Sequence, residues 1–152
     1  MKNDVKVKGV DVLPHRDPFL YLDQLTQYSH ESSVGQVTFG AERDFFRGHF
    51  PGYPIVPGVI LLEAMCQSAA AGVLAYRRSQ SVAADRETLL FAGADNVRFR
   101  RPVRPGETFV THATVHLLRH GIGKFHVRGF VGDVLSAEAD LTCVEQKESA
   151  RC

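Results

Sequence analysis

A histidine on a proline-rich loop is the first candidate for chemistry. His49 follows Gly48 and precedes three prolines at every third position, Pro51, Pro54 and Pro57. Because proline fixes φ and is excluded from helix interiors, this spacing predicts a stiff, extended loop that ends where a helix begins. An imidazole held on such a loop is suited to act as a general base near neutral pH.

Glu63 is the second candidate, because it is the one charged residue of the following helical segment before Arg77 and its neighbours are apolar. Burial disfavours the ionised form of a carboxyl group, so we expect Glu63 to hold its proton and act as a general acid. Gln67 lies one helical turn further on, where its amide can hydrogen-bond the carboxyl group and orient it.

The start of this helix supplies backbone N–H groups with no local acceptor. No Ser, Thr, Asp or Asn precedes it, since Pro57 stands at the first turn and Gly58 follows. Unclaimed N–H groups can stabilise an oxyanion. A base, an oxyanion donor and an acid are what a reaction needs when a proton leaves a carbon beside a carbonyl group while a hydroxyl group departs.

The elements around these residues predict an α+β fold. Residues 58–78 are rich in Ala, Leu and Met and apolar on nearly every face, which predicts a helix buried on all sides. Gly-containing turns at 120–123 and 132–133 separate strands. The predicted strands cover residues 34–41, 89–101, 107–118, 125–131 and 135–143. About five or six antiparallel strands must therefore curl around the helix, or two subunits must share a core.

Length and composition fit one globular domain over residues 1–152, with a polar tail at 146–152. The chain has 18 Lys and Arg against 17 Asp and Glu, a net charge of +1, which provides no general attraction to nucleic acid. We see no uninterrupted apolar run long enough to span a membrane and no secretory signal, so we expect a cytoplasmic protein.

Cysteines and histidines do not predict a metal site. The three cysteines, Cys66, Cys143 and Cys152, have neither zinc-site spacing nor the pattern of a disulfide framework. His112, His116 and His120 are spaced by four, which on a strand separates neighbours by about 13 Å, too far to share one ion. We expect the first two on the solvent face and His120 in a turn.

Residues 48–67, GHFPGYPIVPGVILLEAMCQ, resemble the signature of the (3R)-hydroxyacyl-[acyl-carrier-protein] dehydratases, which are FabZ-like, hotdog-fold enzymes of bacterial type II fatty acid synthesis. Residues 13–23, LPHRDPFLYLD, resemble the N-terminal motif of that family, and residues 89–107 its strand after the helix. Together these segments extend over most of the chain. The resemblance implies a hotdog fold, in which a curved antiparallel sheet wraps one long central helix.

The resemblance also implies roles for individual residues. His49 would abstract the α-proton and Glu63 would protonate the departing β-hydroxyl group, while the Gly58 N–H receives the thioester oxygen and Gln67 supports Glu63. The product would be a trans-2-enoyl thioester, formed without a diffusible cofactor. In the family the base and the acid come from opposite chains of a dimer, and relatives also form a trimer of dimers.

Four arginines cluster within seven residues after the helix: Arg98, Arg100, Arg101 and Arg104. Taken alone, such a run is usually a solvated edge. The resemblance implies an acidic partner, the acyl carrier protein, which a basic rim at the mouth of the site would steer into place.

Two other functions stay open at this point. A hotdog thioesterase would activate water on the thioester carbonyl, and a non-catalytic subunit would only bind acyl chains. Taken singly, His49 is readily explained as a loop histidine satisfied by the backbone, Glu63 as a carboxylate at a subunit interface, and Gly58 as a close-packing glycine. The histidine loop followed by a helix glutamate favours elimination of water.

Overall fold

The computed structural model describes residues 3–80 and 87–147. Within these ranges the helices are α1 (Gly9–Val12), α2 (Phe45–Gly48) and α3 (Gly58–Ser79). The strands are β1 (Asn3–Lys8), β2 (Gln24–Tyr28), β3 (Ser32–Thr38), β4 (Glu87–Phe99), β5 (Thr108–Arg119), β6 (Ile122–Val131) and β7 (Val134–Lys147).

The strands form one antiparallel sheet in the order β1-β2-β3-β5-β6-β7-β4, so β1 and β4 are its edges. Two tight hairpins join β5 to β6 and β6 to β7. At the first, His120 and Gly121 both have positive φ, 53° and 75°, which suits a two-residue turn between twisted strands. Gly132, with φ of 57°, makes the second. Both predicted turns are confirmed.

Helix α3 packs against strands β2 to β7 and forms the centre of the core. Small residues let it approach β3 closely. A Cβ added to Gly35 would lie 2.0 Å from Ser68 Oγ, and one added to Gly72 would lie 2.4 Å from Ser33 Oγ. Glycine at these positions therefore sets the spacing between helix and sheet. The predicted α+β fold with a central helix is confirmed.

The length and mean hydropathy of α3, 1.6, would suffice for a membrane-spanning helix, contrary to our expectation that no segment would qualify. Thirteen of its residues, between Leu61 and Ala75, are buried. The sheet, rather than lipid, covers them. Helix α3 is therefore a buried core helix.

The structure corrects three sequence predictions. Strands β1 and β2 were not predicted, because Leu25 is the one fully buried residue of β2 and the segment lacks an alternating apolar pattern. Helix α3 begins at Gly58 as predicted but extends to Ser79. The polar tail was predicted from 146, yet Gln146 pairs with Thr88 and still belongs to β7; residues 148–152 lie outside the described residues.

Candidate active site

His49 is fixed by hydrogen bonds to one short stretch of loop. It ends the single-turn helix α2, and its ring Nδ1 lies 3.0 Å from the carbonyl oxygen of Ile55. The Ile55 N–H in turn donates to the His49 carbonyl at 2.9 Å. Because a carbonyl only accepts, Nδ1 carries the ring proton of the neutral imidazole and Nε2 keeps a free lone pair. His49 is thus prepared to accept a proton at Nε2.

A cavity of about 250 Å³ lies beside this imidazole. Its lining residues come from the proline loop, the start of α3 and the segment after β4: His49, Ile55, Val56, Gly58, Leu61, Phe99, Arg100, Arg101 and Pro102. The Val56 N–H donates to the Val103 carbonyl at 2.8 Å, which ties the loop to the segment across the cavity. Residues Ile55 and Val56 of the proline loop are therefore held to His49 on one side and to the segment across the cavity on the other.

Gly58 lies in this cavity at the first residue of α3, and no side chain caps the helix there. A Cβ on Gly58 would lie 2.8 Å from the Phe99 ring. Close packing against Phe99 alone therefore requires a glycine. The same position directs the amino end of a long helix, with its positive dipole, toward the cavity.

Glu63 lies on α3, and 19% of its side chain is exposed. Its Oε1 accepts a hydrogen bond from Gln67 Nε2 at 3.0 Å, which is the contact that the four-residue spacing predicted. Gln67 is itself held by the N-terminal segment: its Oε1 accepts from the Tyr21 N–H at 2.7 Å, and its Nε2 also donates to the Phe19 carbonyl at 3.1 Å. The motif at 13–23 thereby sets the orientation of the carboxyl group.

A second cavity, of about 230 Å³, contains Glu63 and Gln67. Residues from the N-terminal segment, α3 and β4 complete its lining: Pro14, His15, Cys66, Ala70, Thr88, Leu89, Leu90 and Phe91. His49 is not among them. Within one chain the two candidate catalytic groups therefore line different cavities.

Sequence reasoning missed His15, whose Nε2 lies 3.6 Å from Glu63 Oε1. Its signal was its place in the N-terminal motif, but no residue of that motif was taken as a site residue. The structure also brings Cys66 to within 3.4 Å of Cys143, sulfur to sulfur. Both are buried free thiols, and Cys152 lies outside the described residues. The pKa of Cys66 is raised because its thiol hydrogen-bonds Cys143 and is buried.

The four arginines differ in how far acidic side chains neutralise them. Arg101 makes two hydrogen bonds to Glu107, at 2.9 and 2.8 Å, and Arg100 makes one to Glu138 at 2.6 Å. These two line the His49 cavity. Arg104 reaches the Tyr53 hydroxyl at 3.4 Å, and Arg98 donates to the Val97 carbonyl. Among the described contacts, neither Arg98 nor Arg104 forms an ion pair.

The three histidines spaced by four along the sequence lie where they were predicted. His112 and His116 are exposed on β5, and His120 is in the turn. In the part of the chain that the structure describes, no three His, Cys, Asp or Glu side chains come close enough to hold a metal ion.

Comparison with known proteins identifies the family. Residues 13–140 match the model of the FabA-like domain. The 3-hydroxyacyl-[acyl-carrier-protein] dehydratase FabZ of Desulforamulus reducens is 45% identical over 131 residues, covering 86% of this chain and 89% of the relative. The FabZ of Chloroflexus aggregans is 40% identical over 131 residues, covering 86% and 88%.

Among solved structures, the dehydratase heterocomplex ApeI:P from Xenorhabdus doucetiae superposes with a TM-score of 0.79 at 19% identity, covering 93% of each chain. A mutant thioesterase from Pseudomonas aeruginosa gives 0.59 at 16% identity, covering 82% and 81%. At such identities the likeness shows the fold alone. By its sequence, over most of its length, the chain belongs to the FabA-like family and within it to the FabZ 3-hydroxyacyl-[acyl-carrier-protein] dehydratases.

Proposed function

We propose that this member of the dehydratase family removes water from (3R)-hydroxyacyl thioesters of acyl carrier protein, with His49 as the base and Glu63 as the acid. The observation that carries the assignment is the hydrogen bond between His49 Nδ1 and the Ile55 carbonyl, which leaves Nε2 free to accept a proton. The product is a trans-2-enoyl thioester, an intermediate of fatty acid biosynthesis.

The elimination is balanced by these groups alone. His49 Nε2 removes the proton from the carbon next to the thioester carbonyl, and negative charge builds on the thioester oxygen, where the Gly58 N–H receives it. Glu63 gives its proton to the β-hydroxyl group, the C–O bond breaks, a C=C bond forms and water leaves. Transfer of the proton from His49 back to Glu63 restores the starting state. No diffusible cofactor is needed.

The position of the two groups supports a site shared between two chains. His49 and Glu63 line separate cavities of one chain, which supports an arrangement in which a second chain supplies the partner of each. The edge strand β4 is the surface we assign to that second copy. Leu90, Phe91 and Phe99 on it are 46%, 37% and 51% exposed, and its free edge can continue the sheet. We infer a homodimer.

The cluster formed by Arg98, Arg100, Arg101 and Arg104, here called the arginine rim, supports binding of the carrier protein. Arg100 and Arg101 lie at the His49 cavity, although each is paired with a glutamate. Arg98 and Arg104 keep more of their charge available to an acidic partner. We therefore assign attraction of the carrier protein chiefly to Arg98 and Arg104.

We place the reaction in the cytoplasm, where buried free thiols such as Cys66 stay reduced.

The decisive experiment incubates the purified protein with a 3-hydroxyacyl thioester of acyl carrier protein and follows both enoyl absorbance and free thiol. We expect enoyl product without thiol release. His49→Ala and Glu63→Gln should each lower the rate by about 10² to 10⁴-fold, the contribution of a positioned base or acid. His30→Ala, an exposed histidine away from both cavities, is the matched control. Thiol release without enoyl product would indicate a thioesterase, and acyl binding without turnover a non-catalytic subunit.

A further inference from the structure

His15 lies in the loop between α1 and β2 and faces the carboxyl group of Glu63. Its Nε2 is 3.6 Å from Glu63 Oε1, and 24% of its side chain is exposed. Gln67 and Cys66 share the same cavity. The proposed reaction assigns no role to this imidazole, although it is the ring nearest to the proposed acid in the described contacts.

The hydrogen bonds of Gln67 define which oxygen of Glu63 carries the proton. Because Gln67 Oε1 accepts from the Tyr21 N–H, its Nε2 is the atom that faces Glu63. An amide N–H can only donate, so Glu63 Oε1 must accept. In the protonated carboxyl group the acidic hydrogen therefore belongs on Oε2, the oxygen without this donor.

The surroundings of His15 define its own proton in the same way. Nδ1 is buried and has no hydrogen-bond partner among the described residues, whereas Nε2 faces an acceptor. A neutral ring has one N–H, and placing it on Nε2 avoids burying an unmatched donor. Burial lowers the pKa of His15. The charge of Glu63 raises this pKa, and the charge of Arg16 lowers it further. Cys66 is the other titratable group lining the cavity, and the β4 residues there are uncharged.

We propose that His15 is a positioning residue that acts through Glu63, because its Nε2–H and the Gln67 amide both approach Oε1 and leave Oε2 to deliver the proton. This inference rests on the proposed role of Glu63 as the acid. The 3.6 Å separation exceeds a direct hydrogen bond, so His15 acts electrostatically. Its effect is strongest on the carboxylate that forms as the proton leaves, which is a transition-state effect rather than a binding effect.

The test compares His15→Leu, which removes the donor, with His15→Gln, which keeps an N–H near the position of Nε2. For His15→Leu we expect kcat to fall about 10-fold, part of the roughly 10² to 10⁴-fold supplied by a positioned acid, with KM nearly unchanged. The alkaline limb of the kcat profile should move to higher pH, because the acid loses a group that stabilises its ionised form. His15→Gln should restore most of kcat and the original limb.

A double-mutant cycle separates positioning from a structural effect. If His15 acts through Glu63, His15→Leu should cause no further loss in the residual turnover of a Glu63→Gln background. The inference would be overturned if His15→Leu kept the wild-type kcat and pH profile. It would also be overturned if His15→Leu lowered kcat equally in the wild-type and Glu63→Gln backgrounds. A third contrary result would be a loss of kcat that His15→Gln does not restore and that leaves the alkaline limb of the kcat profile where it is in wild type. If circular dichroism shows His15→Leu unfolded, His15→Gln and His15→Asn decide: only Gln should approach wild type, and equal rates would refute the idea.

The Glu63→Gln variant distinguishes this inference from the proposed function. Full activity of Glu63→Gln would remove the acid role itself, and His15 would then have nothing to position. Loss of activity in Glu63→Gln together with an unaffected His15→Leu would leave the proposed function intact and reject only the role of His15.

Discussion

At the scale of single residues, His49 and Glu63 are held by hydrogen bonds of opposite direction: the imidazole donates to its neighbour, and the carboxyl group accepts from its neighbour. A carbonyl acceptor on Nδ1 leaves the lone pair of His49 Nε2 free, whereas an amide donor on Oε1 leaves Oε2 as the oxygen of Glu63 that would carry the proton proposed for it. In each case a neighbour that has only one hydrogen-bonding role fixes where the proton sits.

Gln67 gives a residue-scale prediction, because its amide makes three hydrogen bonds while only 1% of the residue is exposed. Gln67→Met keeps the volume but leaves the Tyr21 N–H buried without an acceptor. We expect the free energy of unfolding to fall by about 1 to 3 kcal/mol, measured by urea denaturation. Gln80→Met, which removes the amide of an exposed glutamine that hydrogen-bonds the Ser79 hydroxyl, is the control and should lose less. Equal losses would show that this acceptor contributes nothing.

At the scale of elements, the sequence predicts what local pattern determines. The apolar run of α3 and the period-two alternation of β5 to β7 predicted those elements, although β6 begins three residues before its predicted start and β7 ends four residues after its predicted end. His49, Glu63 and Gln67 were found because they lie within one loop and helix, and the Gln67–Glu63 contact follows from helical spacing alone. These predictions needed no knowledge of the rest of the chain.

Contacts between residues far apart in the sequence could not be predicted from the local sequence pattern. His15 reaches Glu63 only because the N-terminal segment crosses α3. Arg100 meets Glu138 because β4 pairs with β7, and the register that places Arg98 opposite Glu138 is a property of the whole sheet. The four arginines looked equivalent in sequence. In the fold, Arg100 and Arg101 form ion pairs, whereas Arg98 and Arg104 form none among the described contacts.

The loop between β4 and β5 carries an element-scale prediction. Two hydrogen bonds from Arg101, followed by one from the Arg104 N–H, lower the pKa of Glu107 from 4.5 to about 2. A carboxyl group with a lowered pKa in the folded state stabilises the fold above its unfolded pKa, and that contribution is lost as pH falls toward 2. The Tm difference between wild type and Glu107→Gln should therefore be largest above pH 4.5 and shrink on acidification.

Thermal unfolding scans between pH 3 and pH 7 measure this difference, and Glu42→Gln, an exposed carboxylate, serves as the control with little effect at any pH. A Tm difference for Glu107→Gln that stays constant over the range would contradict the assignment. The loop matters for the site because Arg101 and Pro102, which it holds, line the cavity of His49.

At the scale of the whole molecule, surface charge and the proposed assembly each lead to a prediction about the site. A net charge of +1 gives no global attraction to an acidic protein, so the carrier must respond to a local surface. Arg98→Glu combined with Arg104→Glu should lower kcat/KM for a carrier-bound substrate roughly 10-fold, and the loss should diminish at high salt. Turnover of a short thioester without the carrier should change little.

The control for this charge reversal is Arg119→Glu with Lys124→Glu, two exposed cations of the β5–β6 hairpin that lie outside the cluster of four arginines and change the net charge equally. It should leave carrier-dependent turnover near wild type. Similar losses for the two pairs would mean that total charge, rather than the rim, attracts the carrier. Equal losses with the short thioester would mean that the rim acts on catalysis itself.

Assembly gives the last prediction, because a site shared between chains can be rebuilt from two inactive variants. In a mixed dimer of His49→Ala and Glu63→Gln chains, one site would lack both the base and the acid, and the other would combine the intact His49 of one chain with the intact Glu63 of the other. Random exchange makes about half of the dimers mixed, so about a quarter of wild-type activity should return after denaturation and joint refolding. Each variant refolded alone should stay inactive. If both groups served one chain, every site in the mixture would lack one of them and no activity would return, which would place the acid and the base in a single protomer.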